Sequence, residues 1–184
     1  MKYNEVIVPT PNFSRGRKNT IRGVVFHHTG FGLNSSLSWL TDESSEVSAH
    51  LIIDKDGTRY ILAEDSKVTW HAGKSIFKGI SNCNDFMLGV EFVGNTALTP
   101  LTNDQIESAI EWLEPRWEKY RFTLEWITDH RTISPGRKID LNKKELQRLK
   151  QSIAASFRLD YIKPLGLEIL PAIFFGLLDL PYKI

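Results

Sequence analysis

The apolar positions of this chain fall into short β-branched or aromatic runs split by turn residues, and into two longer stretches with helical spacing. Ile21 to His28 is a dense apolar run ending near Gly30 and predicts a buried strand. Val47 to Asp54 and Thr58 to Leu62 flank Lys55-Asp56-Gly57, and Asp-Gly between two apolar runs predicts a hairpin. Met87 to Val93 is a further run, stopped by Gly94-Asn95, and Leu124 to Thr128 predicts another short strand. A short helix is expected over Ser35 to Leu40. The clearest helix begins near Thr102, where Thr102 and Gln105 have the spacing of a capping box. Ile106, Ala109, Ile110, Leu113 and Trp117 then line one face, with Pro115 expected to kink or tighten the helix. Leu141 to Ile153 predicts a second amphipathic helix. Strands interleaved with helices imply an α/β fold, a single domain with a central mixed β-sheet flanked by helices.

The ends read differently. Residues 11–20 are polar and turn-rich, so residues 1–20 are expected as an exposed N-terminal arm before a domain over 21–156. Residues 157–184 form a C-terminal extension whose stretch from Leu165 to Pro181 is apolar but broken by Glu168, Pro171 and Asp179. That is too short and too interrupted for a transmembrane segment, which needs about 20 apolar residues. A segment packed on the domain is the favoured reading, with a membrane-surface or dimer contact as the alternative. At 184 residues the chain suits one domain, and its net charge of +1 argues against a nucleic-acid partner held by a basic field. A lone cysteine, Cys83, allows no intrachain disulfide, so packing or a metal must stabilise the fold. Met1 to Thr10 lacks the apolar core of a secretory signal peptide, which leads to the expectation of a cytoplasmic protein unless a separate factor releases it.

Three features carry chemistry. His27-His28 ends an apolar run, and successive strand side chains face opposite ways, so only one of the pair faces a given site. Taken alone, such a pair is more often structural than ligating. The second feature is the stretch from Asp129 to Leu141, where His130 leaves a predicted strand for a loop containing Pro135, and Lys138 and Asp140 project to one side if extended. Two imidazoles and a carboxylate make a competent catalytic zinc set because a fourth position stays open. The third is Glu91, inside the apolar run LGVEFVG. A carboxylate there is costly unless it is an ion-pair partner or a general base.

Five motifs in order, HHTG (27–30), VSAHLIIDKDGT (47–58), WHAG (70–73), CNDFMLGVEFVG (83–94) and DH…PGRKID (129–140), resemble the type 2 N-acetylmuramoyl-L-alanine amidases. This superfamily includes phage amidase lysozymes, peptidoglycan recognition proteins and the anhydro-muropeptide amidases of the AmpD branch, which VSAH, WHAG and CNDF resemble best. The resemblance runs from about residue 21 to 153. It implies one zinc ion held by His27, His130 and Asp140, with Glu91 activating water and Lys138 beside the developing oxyanion. It implies hydrolysis of the bond between N-acetylmuramic acid and L-alanine in peptidoglycan or its muropeptide fragments, and makes residues 21–156 a zinc amidase domain.

Other positions are more open. Trp70 and His71 stand where related enzymes contact substrate, although a Trp here also suits core packing. His50 replaces the catalytic tyrosine of phage amidase lysozymes, which favours the Glu91–Lys138 arrangement; it is read as a substrate contact or a hydrogen-bonded strand residue. Asn84 is a candidate for the substrate groove or for a turn. Asn82 stands where recycling enzymes carry arginine, leaving intact peptidoglycan, as for a phage endolysin, and soluble anhydro-muropeptides both open. The alternative is a non-catalytic muropeptide-binding module, although such members typically lose a ligand. A metalloprotease would need an HExxH signature, which the chain lacks.

Overall fold

Two of the apolar runs pair with each other at the centre of a six-stranded sheet. The computed structural model describes residues 2–17 and 19–158. In chain order its strands are β1 (Glu5–Ile7), β2 (Phe13–Ser14), β3 (Gly23–His28), β4 (Leu51–Ile53), β5 (Arg59–Ile61), β6 (Val68–Thr69), β7 (Ile76–Phe77), β8 (Ile80–Ser81), β9 (Met87–Phe92) and β10 (Ile127–Asp129). The α-helices are α1 (Leu33–Thr41), α2 (Asn103–Lys119), α3 (His130–Ile133) and α4 (Lys143–Ser156). The large sheet has the order β1-β5-β4-β9-β3-β10. It is mixed, because β4 and β5 are antiparallel whereas the β1–β5, β4–β9, β9–β3 and β3–β10 pairs are parallel.

Central parallel strands are covered on both faces, which explains why these runs are continuously apolar rather than alternating. On one face Val24, Phe26, Leu88, Val90 and Phe92 pack against Ile106, Ala109 and Leu113 of α2 and Leu149 and Ile153 of α4. Phe26 and Phe92 stack there with ring centroids 5.4 Å apart. On the other face Val25 and Met87 meet Ala72, Cys83, Phe86 and Ile133. Cys83 is thus a buried free thiol in an apolar cluster.

The β4–β5 hairpin, the helices around Ser35–Leu40 and after Thr102, and the amphipathic helix near Leu141–Ile153 form as the pattern predicts. Gly57 takes φ +84°, the left-handed conformation that closes the hairpin turn, and Asp54 N–H bonds Thr58 O at 2.9 Å. The capping box is present, with Gln105 N–H donating to Thr102 Oγ1 and Thr102 N–H to Gln105 Oε1. The helix runs on through Pro115 to Lys119.

Three expectations are corrected. Residues ahead of 21 are no free arm. β1 forms the sheet's edge beside β5, β2 pairs antiparallel with β6, and Tyr3, Thr10 and Asn12 are buried. Polar residues hid this, because the segment is tied down by hydrogen bonds such as Thr10 Oγ1 to Leu40 O and Asn12 Nδ2 to Val47 O. The predicted strand from Leu124 instead begins with a 3-10 turn, Leu124–Trp126, and the loop after His130 begins as α3, capped by Asp129 accepting from Thr132 N–H. The expected packing, membrane or dimer role of the tail falls outside the described residues from 159 onward. Among the described residues no helix is long and apolar enough to cross a membrane.

The cap yields a direct test. Thr102→Ala removes the hydroxyl that accepts from α2, and urea denaturation should show a loss of about 1 kcal/mol, within the ~0.5–2 range for such caps. An unchanged midpoint would show that the cap contributes nothing to stability.

Candidate active site

Ligands in open sheets gather beyond the carboxyl ends of parallel strands, and the candidate residues collect there. His27 is the fifth residue of β3 and Glu91 the fifth of β9, directly opposite each other in parallel register. His130 follows the last residue of β10 and opens α3. The loop from Ser134 to Asn142 then returns to the same edge. It is pinned by Arg131 N–H to Asp140 O at 2.6 Å, Arg137 to Ser134 Oγ at 2.7 Å and Asn142 N–H to Thr96 Oγ1 at 2.9 Å. Residues more than 100 positions apart in sequence are thereby brought into contact.

His27 Nδ1, His130 Nδ1 and Asp140 Oδ2 form a triangle with sides of 2.9, 3.2 and 3.3 Å. Ligand atoms on a tetrahedral zinc with bonds of ~2.0–2.1 Å stand roughly 3.3 Å apart, so the triangle fits one face of that tetrahedron. The far side of the His130 ring supports this, since Nε2 lies 3.2 Å from Ala72 O, which can only accept, nearer than the 3.4 Å to the Arg137 guanidinium, which donates to that same carbonyl at 2.7 Å. The proton of a neutral His130 then sits on Nε2, leaving an Nδ1 lone pair aimed at the centre. Burial holds the His27 imidazole at a pKa of about 4, hence neutral and fit to ligate. Burial alone would raise Asp140, but the two imidazoles outweigh it and keep the carboxyl below the usual carboxylate range. These three are the group of His, Cys, Asp or Glu suited to a metal among the described residues.

A cleft of about 210 Å³ opens over the triangle and is lined by Glu91, Lys138, His130, Asp140, Trp70 and His71, among others. Glu91 is half-buried, and its Oε2 is sealed from solvent without a hydrogen-bond partner among the described residues. Desolvation pushes its carboxyl well above the usual range, Asp140 adds to that, and Lys138 opposes it. A carboxyl so placed holds a proton more readily than an ordinary carboxylate, which suits a general base that must later act as an acid.

Not every expected residue reaches the cleft. His50 is buried; its Nδ1 accepts from Gly89 N–H at 2.9 Å, and its Nε2 donates to Lys67 O at 3.2 Å. Burial, with Arg17 alongside, lowers its pKa to about 3. It is a neutral bridge between strands, with no nitrogen left for substrate. Asn84 is likewise internal, its Oδ1 accepting from the backbone N–H groups of His71 and Ala72 at 3.1 and 2.8 Å. Trp70 lines the cleft half-buried and donates from Nε1 to Ser14 Oγ at 3.1 Å. His28, expected to face away, bonds Thr96 through Nδ1 and still forms part of the cleft wall, because it ends its strand.

Two lining residues went unnoticed in the sequence. Phe31 and Trp39 are 69% and 58% exposed and line the cleft. Leu33, Leu37 and Leu40 mark the inward stripe of α1, and Trp39 lies off it. An aromatic residue off the apolar stripe of a helix was the available signal.

A family model described as N-acetylmuramoyl-L-alanine amidase matches residues 17–143. The 1,6-anhydro-N-acetylmuramyl-L-alanine amidase AmpD of Haemophilus influenzae is 40% identical over 97 residues, covering 51% of this chain and 51% of that protein. The chain thus spans about half the length of the curated relatives it matches. A crystal structure of an AmpD selenomethionine derivative shares the fold with TM-score 0.67 at 24% identity, over 80% of this chain and 94% of that one. The Escherichia coli amidase AmiD, solved with anhydro-N-acetylmuramic acid-L-Ala-D-gamma-Glu-L-Lys, superposes with TM-score 0.64 at 27% identity, over 73% of this chain and 58% of that one. With the fold, the strand-end site and the match over residues 17–143 in agreement, the chain belongs to the N-acetylmuramoyl-L-alanine amidase family.

Proposed function

We propose that this protein hydrolyses the amide between N-acetylmuramic acid and L-alanine in peptidoglycan or its anhydro-muropeptide fragments, using one zinc ion held by His27, His130 and Asp140. The observation that carries this reading is the 2.9–3.3 Å triangle of candidate ligand atoms beside a carboxylate oxygen of Glu91 that has no hydrogen-bond partner among the described residues. Three largely buried acceptor atoms that close repel one another unless a cation or a shared proton sits among them. Bound zinc supplies Lewis-acid polarisation of a carbonyl and lowers the pKa of water toward about 7.

The chain's own residues do the rest. Glu91 takes a proton from the attacking water and returns it to the amine of L-alanine as the C–N bond breaks. Such positioned acid–base catalysis supplies ~10²–10⁴-fold. Lys138, in the cleft wall beside Asp140, offers an ammonium to the oxyanion of the tetrahedral intermediate. The exposed rings of Phe31 and Trp39 offer flat apolar faces against which a sugar ring can pack.

Purified protein incubated with insoluble sacculi and with anhydro-muropeptides should release a free L-alanine amino terminus, identified by mass. Binding without release would replace this reading with that of a muropeptide-holding module. His27→Ala and Asp140→Ala should each lose zinc and turnover together; a metal-free variant at full activity would overturn the zinc role. Glu91→Gln should keep its zinc while kcat falls by about 10²–10⁴-fold, and an undiminished kcat would remove Glu91 from the proton path. Trp39→Ala should raise KM for the substrate it stacks upon by about 10-fold, equivalent to roughly 1.4 kcal/mol. A KM unchanged from that of the unsubstituted protein on both substrates would exclude the ring from binding.

A further inference from the structure

We infer that His71 is a positioning residue: it accepts a hydrogen bond from His27 and thereby selects the His27 tautomer whose Nδ1 lone pair points at the metal position. This rests on the zinc site proposed above.

A backbone carbonyl of β9 orients the first ring. His71 Nε2 lies 3.3 Å from Met87 O, which can only accept, so Nε2 carries the ring proton of His71. A neutral imidazole holds one proton, so His71 Nδ1 presents a lone pair. That lone pair faces His27 Nε2 at 3.1 Å. His27 must then donate from Nε2, and its own Nδ1 is left bare. The bare Nδ1 is the atom that stands 2.9 Å from His130 Nδ1 and 3.3 Å from Asp140 Oδ2. One backbone carbonyl of β9 thus sets two successive tautomers. His71 has no ring nitrogen left for substrate, which replaces the expected contact role with one exerted through His27.

The backbone is shaped to admit this ring. A Cβ added at Gly89 would lie 2.3 Å from His71 Cγ and 2.7 Å from His71 Cβ, so the imidazole lies directly on the Gly89 backbone. Glycine inside a strand often marks such a close approach. The rings of His71 and His27 meet edge to face, with centroids 5.2 Å apart and an interplanar angle of 82°. The segment is also fixed from behind, where Asn84 Oδ1 accepts from the His71 backbone N–H. The ring is therefore held in place independently of any metal.

Two measurements on the full chain test this. In metal-free protein, long-range ¹H–¹⁵N correlation should show His27 and His71 both protonated at Nε2; a His27 protonated at Nδ1 would overturn the inference without bearing on the zinc site. Zinc affinity, measured by competition with a chromophoric chelator, should fall about 10–100-fold in His71→Leu, the range for loss of a hydrogen bond to a ligating histidine. His71→Asn keeps an acceptor oxygen near the position of Nδ1 and should recover most of that loss. Gly89→Ala removes no polar group but displaces the ring, and should weaken zinc in the same direction. Wild-type affinity in a folded His71→Leu, checked by circular dichroism, would refute the role. If that variant does not fold, failure of His71→Asn to hold zinc more tightly than Gly89→Ala would refute it instead. Absence of zinc binding by the wild-type chain would sink the proposed function itself, while the tautomer measurement would still decide the relay.

Discussion

Three acceptor atoms, His27 Nδ1, His130 Nδ1 and Asp140 Oδ2, face one another within 3.3 Å in a largely buried corner of the sheet. Lone pairs held that close in a medium of low polarity are mutually repulsive, and water has little access to separate them. Only a cation, or protons trapped between the rings, relieves the conflict. The fold invests heavily in this arrangement. His27 sits on β3, whose first five residues are buried, His130 is fixed by the N-cap of α3, and Asp140 rides a loop tied to Arg131, Ser134 and Thr96. Rigid support of this kind fixes the three side chains in place without reorganisation, as the proposed metal site requires.

The same corner governs the electrostatics of its neighbours. Four of the five histidines lie in one row, His130, His27, His71 and His50, joined by ring contacts of 4.5, 5.2 and 6.1 Å. Burial lowers the pKa of His27, His71 and His50, so each stays neutral and can serve as donor and acceptor at once. Glu91 is the counterpart on the acid side, raised by desolvation and by Asp140. Neutral imidazoles and a carboxyl poised to exchange a proton are the two things hydrolysis at a metal centre needs from a protein. The cleft above adds recognition, with polar groups at its base and the exposed rings of Phe31 and Trp39 at its wall.

Much of the scaffold was legible from spacing. The run from Ile21 to His28, the Asp56-Gly57 turn and the Thr102–Gln105 cap each announce a local structure that local physics suffices to form. The N-terminal segment was not legible, because β1 and β2 are strands only by virtue of their partners β5 and β6. Two- and three-residue strands carry no period long enough to read. His50 and Asn84 stayed open between two readings for a related reason, and the structure places them in the hydrogen-bonded and turn roles. A polar residue looks the same in sequence whether it faces substrate or satisfies a neighbouring backbone, and here both satisfy backbone.

What the sequence determined by itself is the fold class and the family resemblance, because these follow from residue type, order and local period, and the resemblance in turn singles out His27, His130, Asp140, Glu91 and Lys138 as candidates. Tertiary structure decided which nitrogen of each histidine faces the centre, which polar residues are spent on the scaffold, and which aromatic rings reach the cleft. Those outcomes depend on parallel register between β3 and β9 and on the return of a distant loop, contacts spanning about a hundred residues that no local pattern encodes.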